Sequence, residues 1–245
     1  MSTQIKTALV TGSSSGIGLD IARAFLNRDL SVVLNGRNAE KLNTATEKLG
    51  HPERVAVVAG SISDRETGEA MVRAAVDRFG SVDVLVNNAG TFGIKPFVDV
   101  TEEDLDGYLN GNLKGTYLTT QAAVRQMQKE GGGAIVNIGT VLVDHAMAGL
   151  PASAALVSKG GIHALTISLA AELAADNIRV NAVAPGVIRT PIYGDADVDS
   201  FGGVALLNRV GEVNETTDAV LYLANAKFTT GHILRVDGGY VTGRS

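Results

Sequence analysis

The chain has 245 residues, 45% of them hydrophobic and 19% charged, enough to bury a sizeable core beneath a wetted surface. A net charge of −5 with no long basic run argues against nucleic acid or an anionic membrane as the main partner. Cysteine is absent, which removes disulfides, thiolate catalysis and cysteine-based metal sites; no carboxylate–histidine cluster has metal-ligand spacing, so no metal is expected.

The first residues, MSTQIKTALVTG, carry too short an apolar run for a secretory leader. No uninterrupted apolar stretch approaches the roughly 18 residues that a bilayer demands. A soluble, cytoplasmic protein is the expectation. Short β-branched runs then alternate with helical patterns. TALVTG (7–12) reads as a buried strand entering a glycine turn, with a helix over 19–28. SVVLNG (31–36) is a second strand, followed by a helix over 39–50 that ends in glycine. A third strand (54–60), a third helix (66–80) and a fourth strand (82–90) follow. A long helical region spans about 102–129, then come a strand at 134–140, a helix at 152–175, a sixth strand at 178–186 and a last one at 232–240. Apolar strands alternating with helices predict a doubly wound parallel α/β sheet of about seven strands, in one domain over 1–245. The least regular segment, 191–209, follows strand six and is expected to act as a substrate lid.

TGSSSGIG (11–18) joins the first strand to the first helix, as a dinucleotide pyrophosphate site requires. Gly12 permits the tight turn, and Gly16 and Gly18 allow close approach of backbone and helix. Ser14, Ser15 and Ile17 fill the rest of a turn whose backbone N–H groups face the phosphates.

The G-x-x-x-G-x-G spacing is joined by NNAG (87–90), NGNLKGTYL around Asn112, IVNIGT (135–140), SKGG (158–161), NAVAPGVIRTP (181–191) and TGHILRVDGGY (230–240). Together these resemble the short-chain dehydrogenase/reductase family, in the family's order and over essentially the whole chain. The resemblance implies hydride exchange between a nicotinamide cofactor and a small-molecule carbonyl or alcohol. It places Asn88, Ala89 and Gly90 under the cofactor ribose, and Pro185, Gly186, Ile188 and Thr190 at the carboxamide. It also implies a homotetramer or homodimer, with the 102–129 and 152–175 helices and the last strand as contact elements.

Cofactor choice is read at the end of strand two, where a carboxylate would bind the ribose 2′-hydroxyl and favour NAD(H). This chain has Gly36 there, with Arg37 next, a guanidinium suited to a 2′-phosphate. NADP(H) is therefore expected over NAD(H). Ser61 and Ile62 stand where members of the family commonly carry Asp-Val beside the adenine.

One family residue is missing. The family uses Asn, Ser, Tyr and Lys, the last two as Y-x-x-x-K. Here Asn112 and Lys159 match, Thr140 keeps a hydroxyl in the serine position, and Ala155 stands in place of the tyrosine. No tyrosine lies between Tyr117 and Tyr193, so no small slip restores it. Lys159 keeps a purpose as a ligand of the nicotinamide ribose. The proton donor is open. His145, beside Asp144 in the loop after Thr140, is the first candidate because imidazole titrates near neutral pH. Tyr193, Lys159 itself, or a water held by Thr140 and Asn112 are the others, and His163, one turn beyond Lys159, offers a further polar group. The competing expectation is a protein that binds the cofactor with little turnover, as a sensor or structural partner.

Overall fold

The computed structural model describes residues 5–243. Its seven strands are β1 (Thr7–Val10), β2 (Ser31–Gly36), β3 (Val55–Ala59), β4 (Val84–Asn87), β5 (Gly133–Ile138), β6 (Ile178–Pro185) and β7 (Ile233–Val236). They form one sheet, ordered β3-β2-β1-β4-β5-β6-β7, and every adjacent pair is parallel. The seven helices are α1 (Gly16–Leu26), α2 (Ala39–Leu49), α3 (Arg65–Phe79), α4 (Glu102–Tyr108), α5 (Gly115–Glu130), α6 (Ser153–Glu172) and α7 (Val213–Asn225).

The sheet is buried on both faces, which is why its strands read as continuous apolar runs. Along β1, Ala8 and Val10 join the layer beneath α1, α2 and α7, while Leu9 points into the opposite layer with α3, α5 and α6. Strands β2 and β4 divide the same way: Val32, Leu34, Val84 and Val86 face one layer, and Val33 and Leu85 the other. Strand order reverses between β1 and β4, so a crevice opens at the strand C-termini there.

Three local features depart from the sequence reading. Helix α7 was not foreseen; it is closed at its N-terminus by a reciprocal Glu212–Glu215 capping box and packs Val220, Leu223 and Ala224 into the core. The 102–129 region is not uniform α-helix: a π-helical segment, Leu109–Lys114, separates α4 from α5 and carries Asn112. The last strand ends at Val236, and Asp237 turns the chain by accepting from the N–H groups of Gly239 and Val241, both at 2.9 Å. Helix α6 is, by length and composition, long and apolar enough to cross a membrane, but it packs along β6 and buries Lys159 and His163.

Candidate active site

The glycine turn sits where β1 meets α1. Gly12 has φ +62°, and a Cβ there would lie 2.7 Å from the Ala89 Cα. Gly16 is also left-handed, at φ +55°. Gly18 packs against the Asn88 amide and the Gly12 carbonyl so closely that no side chain fits. The Asn88 amide nitrogen donates to the carbonyls of Thr11 and Gly12, each at 3.0 Å, and the Ala89 N–H donates to Thr11 Oγ1 at 2.9 Å. These bonds lock the β4 loop under the turn. Helix α1 begins after an extended Ser15 whose side chain caps nothing, whereas α2 is capped by Asn38 accepting from the Lys41 N–H. The first turn of α1 therefore presents its N–H groups to an anion and not to its own cap.

At the far end of the turn, a Cβ on Gly36 would stand 3.5 Å from Ser14 Oγ, in ordinary contact. The Asn35 amide is turned away, donating to the carbonyls of Val58 (3.0 Å) and Gly60 (3.2 Å). Arg37 is exposed, and Lys41, which the sequence reading passed over, lines the cleft. Ser61 pairs its hydroxyl with Ser63 at 2.7 Å, while Ile62 is buried against Gly115. Neither is among the residues lining the cleft.

Helix α6 carries Lys159 into the structure. Its Nζ donates to the Ile138 carbonyl at 2.8 Å, and the residue is only 8% exposed. Burial without a carboxylate partner lowers its pKa from 10.5 to about 8. Asn112 is fully buried: its Oδ1 accepts from the Thr91 N–H at 2.8 Å, and its Nδ2 donates to the Thr91 carbonyl at 3.0 Å and to Ser158 Oγ at 2.9 Å. A Cβ on Gly90 would lie 3.0 Å from Asn112 Oδ1 and 3.3 Å from Lys159 Nζ, so glycine there keeps the two apart from the chain. Behind them Asn87 donates to Asn137 Oδ1 and to Thr120 Oγ1, both at 2.9 Å, and Asn137 donates to Thr166 at 2.8 Å. This buried amide ladder ties β4, β5, α5 and α6 together and was not anticipated.

A single cleft of about 890 Å³ joins these parts, from Gly12, Ser15, Gly16 and Ile17 past Asn88 and Gly90 to Thr140 and Lys159, and on to Pro185, Gly186, Ile188 and Thr190. Of the expected cofactor ligands, Ser14, Gly18, Arg37, Ser61, Ile62 and Ala89 lie outside its lining. Beyond Thr140 the lining is mainly apolar, with Leu142, Met147 and Leu150 from the loop after β5 and Tyr193, Phe201 and Leu207 from the 191–209 segment.

The family model described as Enoyl-(Acyl carrier protein) reductase matches residues 12–241. The chain is 36% identical over 244 residues to a 3alpha-hydroxysteroid dehydrogenase of Mediterraneibacter gnavus, covering 95% of this chain and 96% of that one. It is also 36% identical over 243 residues to a 3-oxoacyl-(acyl-carrier-protein) reductase of Thermotoga maritima, with 96% and 98% covered. A crystal structure of a short-chain type dehydrogenase/reductase from Mycobacterium marinum superposes with a TM-score of 0.91 at 30% identity, over 96% of this chain and 95% of that one. The chain belongs to the short-chain dehydrogenase/reductase family. It is an NAD(P)-dependent oxidoreductase of that family.

Ala155 is fully buried, and its carbonyl accepts from Ser158 Oγ at 2.7 Å. The first substitute named from sequence is poorly placed: His145 is exposed, is not part of the cleft lining, and packs its ring edge-on to Tyr240 at 5.3 Å. Its neighbour Asp144 does not partner it but binds Arg235 at 2.8 Å. His163 is 5% exposed, with Nε2 unpartnered against the backbone of Gly139 and its pKa lowered chiefly by burial. Thr140 and Tyr193 do line the cleft, and Thr140 Oγ1 accepts from the Leu142 N–H at 3.3 Å.

Proposed function

We propose that this protein is an NADP(H)-dependent oxidoreductase that interconverts an uncharged carbonyl compound and its alcohol. The observation that carries the reading is the continuity of one cleft from the glycine cradle to Lys159 and Thr140. The residues fit a nicotinamide dinucleotide: the uncapped start of α1 and left-handed Gly12 and Gly16 suit a pyrophosphate, and Gly90, which lines the cleft with no side chain to crowd Asn112 and Lys159, suits the approach of a ribose. When bound, the cofactor supplies or accepts the hydride. The Lys159 ammonium, held by the Ile138 carbonyl, keeps N–H protons for the ribose hydroxyls. Thr140 Oγ1 accepts a backbone N–H and keeps its own proton to donate to the substrate oxygen. Asn112 is a positioning residue, because its amide is consumed in fastening the 91 loop to α6.

Preference for NADP(H) rests on Gly36, where no carboxylate opposes a 2′-phosphate, and on the cations Arg37 and Lys41 flanking the start of α2. The apolar walls beyond Thr140 favour a substrate without charge, and the 191–209 segment acts as its lid. Exposed Tyr117 on α5 and Val157 and Ile167 on α6 support assembly into a homodimer or homotetramer through those helices. Titration of the protein with NADPH and NADH, followed by nicotinamide fluorescence, tests the first half of the reading. Tighter binding of NADPH and its consumption with neutral ketones are expected. Failure to bind either nucleotide refutes the reading, and binding without consumption across a broad carbonyl panel replaces it with a sensor or structural role.

A further inference from the structure

An alanine at residue 155, where the family resemblance expects a tyrosine, raises a definite chemical need. Reduction of a carbonyl moves a hydride to carbon, turns the C=O π pair into an alkoxide lone pair, and leaves that oxygen one proton short. A positioned acid contributes on the order of 10²–10⁴ to such a step. The titratable side chains lining the cleft can be taken in turn. Lys41 lies at the α2 end, beside the glycine turn and away from Thr140. Arg209 is held bidentately by Glu215, at 2.8 and 2.6 Å, which engages both groups. Asp237 is engaged by two backbone N–H groups, one on each carboxylate oxygen. The Tyr240 hydroxyl is committed to the His145 carbonyl at 3.1 Å. Lys159 is committed to the Ile138 carbonyl and to the ribose role above.

Tyr193 remains. It ends the short turn Pro191–Tyr193, three residues beyond Thr190 on the carboxamide loop, so its backbone is set by the same strand end that bounds the cofactor cleft. Its ring is half-buried beside Phe201, with centroids 6.3 Å apart, and lines the same cleft as Thr140 and Lys159. Its hydroxyl makes no hydrogen bond among the described residues.

Resting on the oxidoreductase reading, we propose that Tyr193, delivered from the lid, is the proton donor that replaces the family's missing tyrosine. In reduction the Tyr193 O–H bond breaks, its proton forms the new alcohol O–H, and the resulting phenolate recovers a proton from solvent at the cleft rim, where the residue is partly exposed. In oxidation the same steps run backwards. Burial pushes the Tyr193 pKa above its usual 10, and no charged group counts among the causes, so the phenol stays protonated across the working range. The lid that shuts the cleft thereby also completes it, so closure and proton delivery become one event.

The test compares the wild-type protein with Tyr193→Phe under saturating NADPH and a neutral ketone that the wild type reduces. The expected result is a fall in kcat of about 10²-fold or more, with KM within a few fold and NADPH affinity unchanged. The wild-type kcat should hold level through pH 8 and fall only above 10. As a readout independent of turnover, the ultraviolet phenolate titration of the wild type minus that of Tyr193→Phe should show one tyrosine ionising above 10. Undiminished kcat in Tyr193→Phe overturns the assignment while leaving the oxidoreductase reading intact. A kcat limb near pH 8 overturns it in favour of Lys159. A wild type that consumes no NADPH with any carbonyl overturns both.

Discussion

The Gly36→Asp substitution isolates the basis of cofactor preference. A Cβ at residue 36 meets Leu42 Cδ2 and Ser14 Oγ at 3.5 Å, ordinary van der Waals distance, and Gly36 does not require a left-handed backbone. The aspartate therefore fits without disturbing β2, and its effect is electrostatic. Two like charges about 4 Å apart repel by roughly 1 kcal/mol in water and about 4 kcal/mol at the effective dielectric of a protein surface. The strand end is open on the Arg37 side, so a value near 2 kcal/mol is reasonable, which corresponds to about a 30-fold loss of NADPH affinity. NADH carries no 2′-phosphate, so its ribose hydroxyls gain an acceptor and its affinity should rise. Fluorescence titrations of both nucleotides against both proteins, at one low ionic strength, give the four constants needed. An NADPH-to-NADH affinity ratio that moves by less than threefold would refute the reasoning and place the discriminating contact elsewhere, with Lys41 the next residue to replace.

Lys159→Met should stabilise the protein without cofactor: a pKa drawn down from 10.5 to about 8 corresponds to roughly 3 kcal/mol of ammonium burial, and losing the Ile138 bond returns about 1. A thermal midpoint several degrees higher at pH 7, with weakened NADPH binding, is the expected pair of results in thermal melts and nucleotide titrations. Because the folded pKa lies below the unfolded one, the unfolded chain holds more protons between about 8 and 10.5, so wild-type stability should gain on that of Lys159→Met as pH rises through that window. Cofactor affinity should fall over the same rise as the ammonium is lost, and the nucleotide titration repeated at pH 7 and pH 9.5 checks it. Gly139→Ala drives a methyl group into the His163 ring, whose Nε2 has no bond to yield, and should cost about 1–3 kcal/mol in denaturant melts. Ala155→Tyr must force a phenol from a fully enclosed position; a lower melting temperature and no tenfold gain in turnover are expected, and such a gain would show that only the missing family phenol limits the chemistry.

The sheet was readable because its strands are buried on both faces and so spell out β-branched runs with no polar alternation. Helix α7 was not, for a nameable reason. Its cap is a glutamate, not the Ser, Thr, Asp or Asn that marks most helix starts, and Ala219, Val220, Leu221, Leu223 and Ala224 make a nearly unbroken apolar run that hides the helical period. The π segment at 109–114 was equally hidden, since one inserted residue barely alters the apolar spacing while it turns Asn112 fully inward. In the site, the glycine cradle was legible because backbone approach is written directly as missing side chains. His145 was misjudged because adjacency in sequence implied a pair with Asp144, and that carboxylate is drawn instead to Arg235, 91 residues away. Lys41 was overlooked because an exposed lysine in the first turn of a helix carries no sequence mark of the cleft beside it.

What remains at residues 155 and 159 bears on how the site has been reshaped. A lysine kept under burial with no carboxylate to offset it lowers stability, so its retention beside Gly90 points to a use that the folded chain does not supply by itself, and the proposed ribose grip would be such a use. Ala155, by contrast, is fully buried and is not among the residues lining the cleft. On the proposed reading the two positions would separate cofactor binding, kept on helix α6, from proton transfer, supplied by another titratable group of the cleft. With Tyr193 of the 191–209 segment as the proposed donor, closure of that segment would be required for chemistry as well as for excluding water.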